Sequence, residues 1–212
     1  MIAQGRKGGV PRVDVVDEID DYSYKRFRIR RAMLRYRLAD GRMSVPVDRL
    51  CFERGHAVGV LLYDKAGDQV ILVRQFRYPV YVSLSAEERK GDRVERAWVL
   101  EIIAGMQEKG EALEDVVRRE ALEEAGHTVS APLEVVANVY PSPGGSSERV
   151  TIYVAEIDRD APVAGGGGVA EEGEDTEVVT LPFERALSMV KTGEIADAKT
   201  VIALQHLAMK RV

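Results

Sequence analysis

Hydrophobic and polar positions change period several times along the chain, and each change marks an element. Between residues 27 and 38 the apolar Phe27, Ile29, Leu34, Tyr36 and Leu38 alternate with arginines, with one shift of phase, which predicts a strand carrying a bulge. Asp40-Gly41 offers a tight turn, and Met43, Val45 and Val47 alternate again, so the N-terminal part reads as an antiparallel hairpin or meander. Residues 58–63 and 70–73 are dense in β-branched and apolar side chains on either side of a turn at 64–68, the pattern of buried strands in a central sheet. Residues 83–93 are mostly charged and without period, which predicts an exposed, mobile loop. Strand character returns at 98–103. Helical spacing then runs over 112–125, with Glu111, Glu114 and Asp115 suited to the positive N-terminal end and Gly126 to the exit. Strands are predicted at 133–140 and 150–157, followed by four glycines at 165–168 that read as a flexible loop. Helices after Pro182 through 190 and over 196–209 close the chain.

The helix at 112–125 carries the candidate chemistry. At about 100° per residue, Leu113, Val116 and Val117 form an apolar stripe, and Glu120, Glu123 and Glu124 fall on that stripe one to two turns later. An acidic helix is ordinarily a solvated face. Here the acids turn toward the core, where three carboxylates repel one another and lose hydration unless a cation gathers them. Hard oxygen donors point to magnesium or manganese rather than zinc.

Composition narrows the setting. The chain has 212 residues, 45% hydrophobic and 31% charged, enough for one globular domain with a small appended piece. The expected division is 1–54, an N-terminal β region, and 55–212, a catalytic domain. Thirty basic against thirty-five acidic side chains leave a net charge of -5, so no global basic field suits nucleic acid or an anionic membrane. An anionic substrate would need a metal ion or a few placed arginines. Cys51 is the only cysteine and cannot form an internal disulfide, which fits a reducing cytoplasm. The polar N-terminus does not read as a signal peptide, and no apolar run approaches the roughly 18 residues that span a bilayer.

Gly105, Glu111 and Arg119-Glu120-Ala121-Leu122-Glu123-Glu124-Ala125-Gly126 match the Nudix box, G-x5-E-x7-R-E-U-x-E-E-x-G-U, where U is a bulky aliphatic residue. Every fixed charged and glycine position is filled. Two U positions depart, with the small Ala121 and the polar His127; these are positions that pack the helix. The chain therefore resembles the Nudix hydrolases. The segments Ser142-Pro143-Gly144-Gly145-Ser146-Ser147-Glu148-Arg149, Phe52-Glu53-Arg54-Gly55-His56, Arg74-Gln75-Phe76-Arg77 and Lys191-Thr192-Gly193-Glu194-Ile195 are similar to those of ADP-ribose pyrophosphatases and GDP-mannose pyrophosphatases within that family.

The resemblance implies an α+β fold, an α/β/α sandwich with a mixed central sheet and a small N-terminal antiparallel β-sheet region. It implies an Mg2+-dependent pyrophosphohydrolase, with Mn2+ as a substitute, acting on a nucleoside diphosphate sugar. ADP-ribose, giving AMP and ribose 5-phosphate, is the first substrate it suggests, and GDP-mannose or another nucleotide sugar the alternative. A Nudix-fold sensor that binds without cleaving is the reading from a different class. Matched position by position, Glu120, Glu123, Glu124, Glu174 and the carbonyl of Ala104 hold metal. Glu172 is the general base, on an acidic loop with Glu174 two residues later, and it joins Glu120, Glu124 and Arg119 in the catalytic set. Arg119 orients a box carboxylate. Arg77, Arg49, Glu148, Tyr24 and Phe27 contact substrate. The family resemblance further implies a homodimer with shared active sites.

Overall fold

The computed structural model describes residues 12–158, 160–168 and 175–211. They divide into two compact units, one of the described residues within 1–55 with 142–148 and one of those within 56–141 and 149–212.

In the first unit, β1 (Val13–Tyr24), β2 (Phe27–Tyr36) and β3 (Val47–Glu53) form an antiparallel meander in that order. The acids of β1 face the arginines of β2, as in Arg30 with Glu18 at 2.8 Å, and Arg30 also meets Glu53 of β3 at 3.0 Å. These pairs are only half-buried, and such pairs set register more than they stabilise. The bulge predicted on the strand 27–38 is not found there. Register breaks occur on β1, between Val15 and Asp17 and between Asp20 and Tyr22, whereas β2 pairs with β3 without interruption. The segment 142–148 belongs with this unit because the Phe52 N–H donates to the Gly145 carbonyl (2.8 Å) and the Ser146 hydroxyl to the Phe52 carbonyl (3.1 Å).

The second unit is a mixed sheet between two helical layers. β4 (Ala57–Asp64) lies at its centre, parallel to β9 (Val150–Glu156) and antiparallel to β5 (Gln69–Phe76). β10 (Thr176–Pro182) adds to β5, and β8 (Glu134–Val139) to β9. Every residue of β4 is buried, so its alternating side chains feed two cores. Leu61 and Tyr63 meet the C-terminal helices α4 (Phe183–Thr192) and α5 (Ala198–Lys210). Val58, Val60 and Leu62 meet Val116, Val117 and Ala121 of α3 (Leu113–Ala125). This is the α+β sandwich expected, with its small antiparallel sheet.

Three local expectations need correction. The segment 83–93, read as a mobile loop, contains α2 (Ala86–Lys90) and the start of a 3-10 turn (Asp92–Ala97), and α1 (Tyr78–Ser83) ends at its edge. These are too short for a helical period to show. They are held by polar devices: a capping box in which the Ser85 hydroxyl accepts from the Glu88 N–H (3.2 Å) and the Glu88 carboxylate from the Ser85 N–H (3.0 Å), and the Arg89 guanidinium donating to the carbonyls of Tyr81 and Val82. The single strand expected at 98–103 is two, β6 (Trp98–Glu101) on β5 and β7 (Ile103–Met106) on β4, with a break at Ile102. Finally, the glycine run is anchored. The N–H groups of Gly167 and Gly168 donate to the carbonyls of Glu124 (2.9 Å) and Glu123 (3.1 Å), satisfying the C-terminal end of α3. A Cβ on Gly166 would stand 2.7 Å from the Glu124 carbonyl oxygen, so the run is glycine because two backbones touch there. Among the described residues no helix is long and apolar enough to cross a membrane.

Candidate active site

The site is built on α3 and the strand it packs against. The first turn of α3 carries Glu114 and Asp115, which favour its positive end. Its last turn closes on Gly126 at φ 73°, where the Gly126 N–H reaches the Leu122 carbonyl (3.0 Å) and the His127 N–H the Ala121 carbonyl (3.0 Å). Between these ends, Val116, Val117 and Ala121 are fully buried, and the same side of the helix carries Glu120 at 8% and Glu124 at 3% exposure. Glu123 does not share that burial: its side chain is 34% exposed. Two box acids thus turn inward, and the third stands at the rim.

The structure provides partners for these charges. Arg119 donates through Nη1 to Glu120 (2.7 Å) and Glu123 (3.1 Å), and through Nε to Glu111 (3.3 Å). Burial works against the guanidinium charge, but the bonds it donates to Glu111 and Glu120 outweigh it and raise the Arg119 pKa; the contact with Glu111 holds that carboxyl below its usual range. The Glu124 carboxylate accepts from the Ala104 N–H at 3.1 Å. Arg119 thus links Glu111, Glu120 and Glu123. Among the described residues no three acid, histidine or cysteine side chains are grouped as a metal site.

Whether the residues could receive a metal ion is tested by Gly105 on β7. Its missing side chain leaves the space that Glu120 fills: a Cβ there would lie 1.7 Å from Glu120 Oε1 and 2.0 Å from Cδ. The backbone thus cradles a buried carboxylate beside Ala104 and Glu124, a hard-oxygen donor set that fits a divalent cation.

Arg77, just beyond β5, is tied to Glu101 of β6 by its Nε at 2.5 Å. Burial opposes the Arg77 charge, yet Glu101 raises its pKa, with further contributions from Glu124 and Asp197. Arg77 is therefore in the field of one box acid, Glu124. Glu101 and its second partner, Lys199, were not anticipated. Arg49, Tyr24, Phe27 and Glu148 belong to the other unit. There Phe27 stacks on Phe52 with ring centroids 5.7 Å apart, Tyr24 is exposed, Arg49 Nη1 reaches the Asp48 carbonyl (2.8 Å), and Glu148 meets Arg54 at 3.4 Å. Glu172 and Glu174 lie outside the described residues.

A family model for the NUDIX domain matches residues 53–204 of the chain. The chain belongs to the Nudix family. Members of this family generally use a divalent metal ion. This Nudix chain is 43% identical over 175 residues to the ADP-ribose pyrophosphatase of Escherichia coli K12, covering 82% of itself and 78% of that protein. It is 38% identical over 164 residues to the GDP-mannose pyrophosphatase of Cronobacter sakazakii, covering 77% and 79%. A solved structure described as an ADP compounds hydrolase superposes with a TM-score of 0.68, covering 96% of both chains at 17% identity, a likeness of fold.

The two departures from the Nudix box are both buried, Ala121 at 0% and His127 at 5%. Burial lowers the His127 pKa below the ordinary 6.5, against a smaller opposing effect of Asp158. The sign for stability follows. As pH falls through about 6.5 the unfolded chain takes up a proton that the folded chain refuses, so stability is lost from there down through the lower folded value. Urea unfolding at pH 7.5 and 5.5 should therefore show a larger loss in the parent than in His127→Leu; equal losses would remove His127 as the cause.

Proposed function

We propose that the chain hydrolyses the pyrophosphate of a nucleoside diphosphate sugar with Mg2+, and that its first substrate is ADP-ribose, cleaved with one water to AMP and ribose 5-phosphate. The observation that carries this reading is the buried pair Glu120 and Glu124 on the Nudix helix, in a chain 43% identical to an ADP-ribose pyrophosphatase. A second reading, GDP-mannose as substrate, is favoured by 38% identity to a GDP-mannose pyrophosphatase over a similar share of the chain.

In this reading Glu120, Glu124, Glu123 and the Ala104 carbonyl hold Mg2+, with Glu174 as a further ligand, and Mn2+ can substitute. When bound, the ion neutralises charge on the phosphate oxygens and acidifies the attacking water. Arg119 keeps Glu120 in place through its 2.7 Å bond and does not itself touch substrate. Glu172 removes the proton from the attacking water, and Arg77 binds the diphosphate. Arg49, Glu148, Tyr24 and Phe27 serve nucleoside and sugar, in a cytoplasmic homodimer with shared sites. The exposed Val13, Val15, Val16, Ile19 and Tyr22 of β1 support that assembly, since apolar side chains gathered on an edge strand are ordinarily covered.

Incubation of the chain with Mg2+ and either ADP-ribose or GDP-mannose, with the products resolved, tests the proposal. AMP and ribose 5-phosphate at the higher kcat/KM are expected. Preferred cleavage of GDP-mannose would replace the first substrate by the second, and binding of either without cleavage would leave a sensor.

A further inference from the structure

At the break between β6 and β7 the sheet exposes a problem that α5 solves. Glu101, the last residue of β6, has a carboxylate only 3% exposed, and a buried charge is tolerable only when its oxygens are matched. Oε1 accepts from Arg77 Nε at 2.5 Å, and Oε2 accepts from Lys199 Nζ. Lys199 is held in turn by Asp197 Oδ1 (3.0 Å), the N-cap of α5. The next residue, Ile102, donates its N–H to Thr200 Oγ1 (2.8 Å), whose hydroxyl donates to Asp197 Oδ2 (2.6 Å). One turn of α5 therefore fixes Glu101 and Ile102 together, just ahead of Ala104.

Arg77 is the one member of this group that reaches outward: its side chain is 40% exposed, against 16% for Lys199 and 19% for Asp197. A buried pair could be replaced by apolar residues at little cost to stability, so burial alone does not account for it. A guanidinium pinned by Nε to a rigid, buried acid has its remaining N–H groups directed by that bond, which is what an anion-binding arginine requires. We propose that Glu101 is a positioning residue for Arg77, holding its guanidinium oriented for the substrate diphosphate, and that Lys199 sustains this by neutralising the second oxygen of Glu101. The inference rests on Arg77 being the diphosphate ligand.

The test is a double-mutant cycle on the full chain with Arg77→Ala, Glu101→Gln and the pair. Two readouts are taken: the Kd for ADP-ribose by calorimetry in EDTA, and KM and kcat with saturating Mg2+. Freeing one long side chain should raise Kd and KM about 3- to 10-fold with kcat changed less. In the Arg77→Ala background the same substitution should change Kd less than about twofold, because there is no guanidinium left to position. If Glu101→Gln does not fold, Glu101→Gln/Lys199→Met takes its place, with both buried charges removed. An equal rise in both backgrounds, or no rise in the parent, overturns the positioning role while Arg77 stays a ligand. An unchanged Kd and KM in Arg77→Ala overturns the ligand itself and the inference with it.

Discussion

Glu120→Gln should lower kcat at least about 1000-fold and leave the protein folded. Metal-assisted stabilisation of a phosphoryl transition state amounts to several kcal/mol, and each 1.36 kcal/mol is about tenfold in rate. The fold should not object. Gln has nearly the volume of Glu, its amide oxygen can still accept from Arg119, and Glu111 and Glu123 keep the guanidinium paired at 3.3 and 3.1 Å. The change also removes one of two negative charges buried a single turn apart. The metal-free Tm should accordingly move by no more than about 4 °C, the shift that about 1 kcal/mol produces in a chain of this size. The discriminating measurement is the rise in Tm on adding Mg2+, since a ligand that binds only the folded state stabilises it in proportion to its occupancy. The parent should gain and the variant should not. An unchanged rate, or an equal gain, would remove Glu120 from the metal site.

The central helix was legible because two independent signals coincide on it. Its apolar stripe and box spacing place Glu120 and Glu124 inward, and the structure buries both. Glu123 shows where the stripe is too coarse: it stands at the rim, drawn out by Arg119 at i, i+4. The N-terminal strand β1 was hidden for a geometric reason, since each of its two register breaks inverts the alternation that reveals a strand. α1 and α2 were hidden because neither is long enough for a period, although Ser85 and Glu88 stood in the sequence at capping-box spacing. β10 was masked by the acidic stretch leading into it. The Glu101–Lys199 pair spans 98 residues and leaves no local pattern, so only the fold could bring it to notice. The glycine run was misjudged from composition, which describes the freedom of a chain and not the surface that comes to meet it.

Gly105→Ala should separate the cradle from the fold. In most glycine substitutions the backbone is the obstacle, but Gly105 is absent from the residues with positive φ and sits in β7 opposite Val58, a conformation alanine adopts readily. Alanine even restricts the unfolded chain by roughly 0.4–1 kcal/mol to the benefit of the folded one. What the new methyl meets is Glu120, at 1.7 Å from Oε1, 2.0 Å from Cδ and 2.3 Å from Cγ. All three atoms belong to one side chain with rotamers to spare, so the relief is a swing of Glu120 away from β7. That swing breaks its 2.7 Å bond to Arg119, a net cost of about 1.5–3 kcal/mol for a charged pair, which the backbone gain partly offsets. Stability should therefore fall by only about 1–2 kcal/mol. Activity should fall about 100-fold or more, since displacing a reacting group by an ångström costs that much. Because both substitutions act through the same carboxylate, adding Gly105→Ala to Glu120→Gln should cost little further rate. Should the two losses multiply, Gly105 would have a role apart from Glu120. Should Gly105→Ala unfold the chain while sparing the rate of what remains folded, the glycine would serve packing alone.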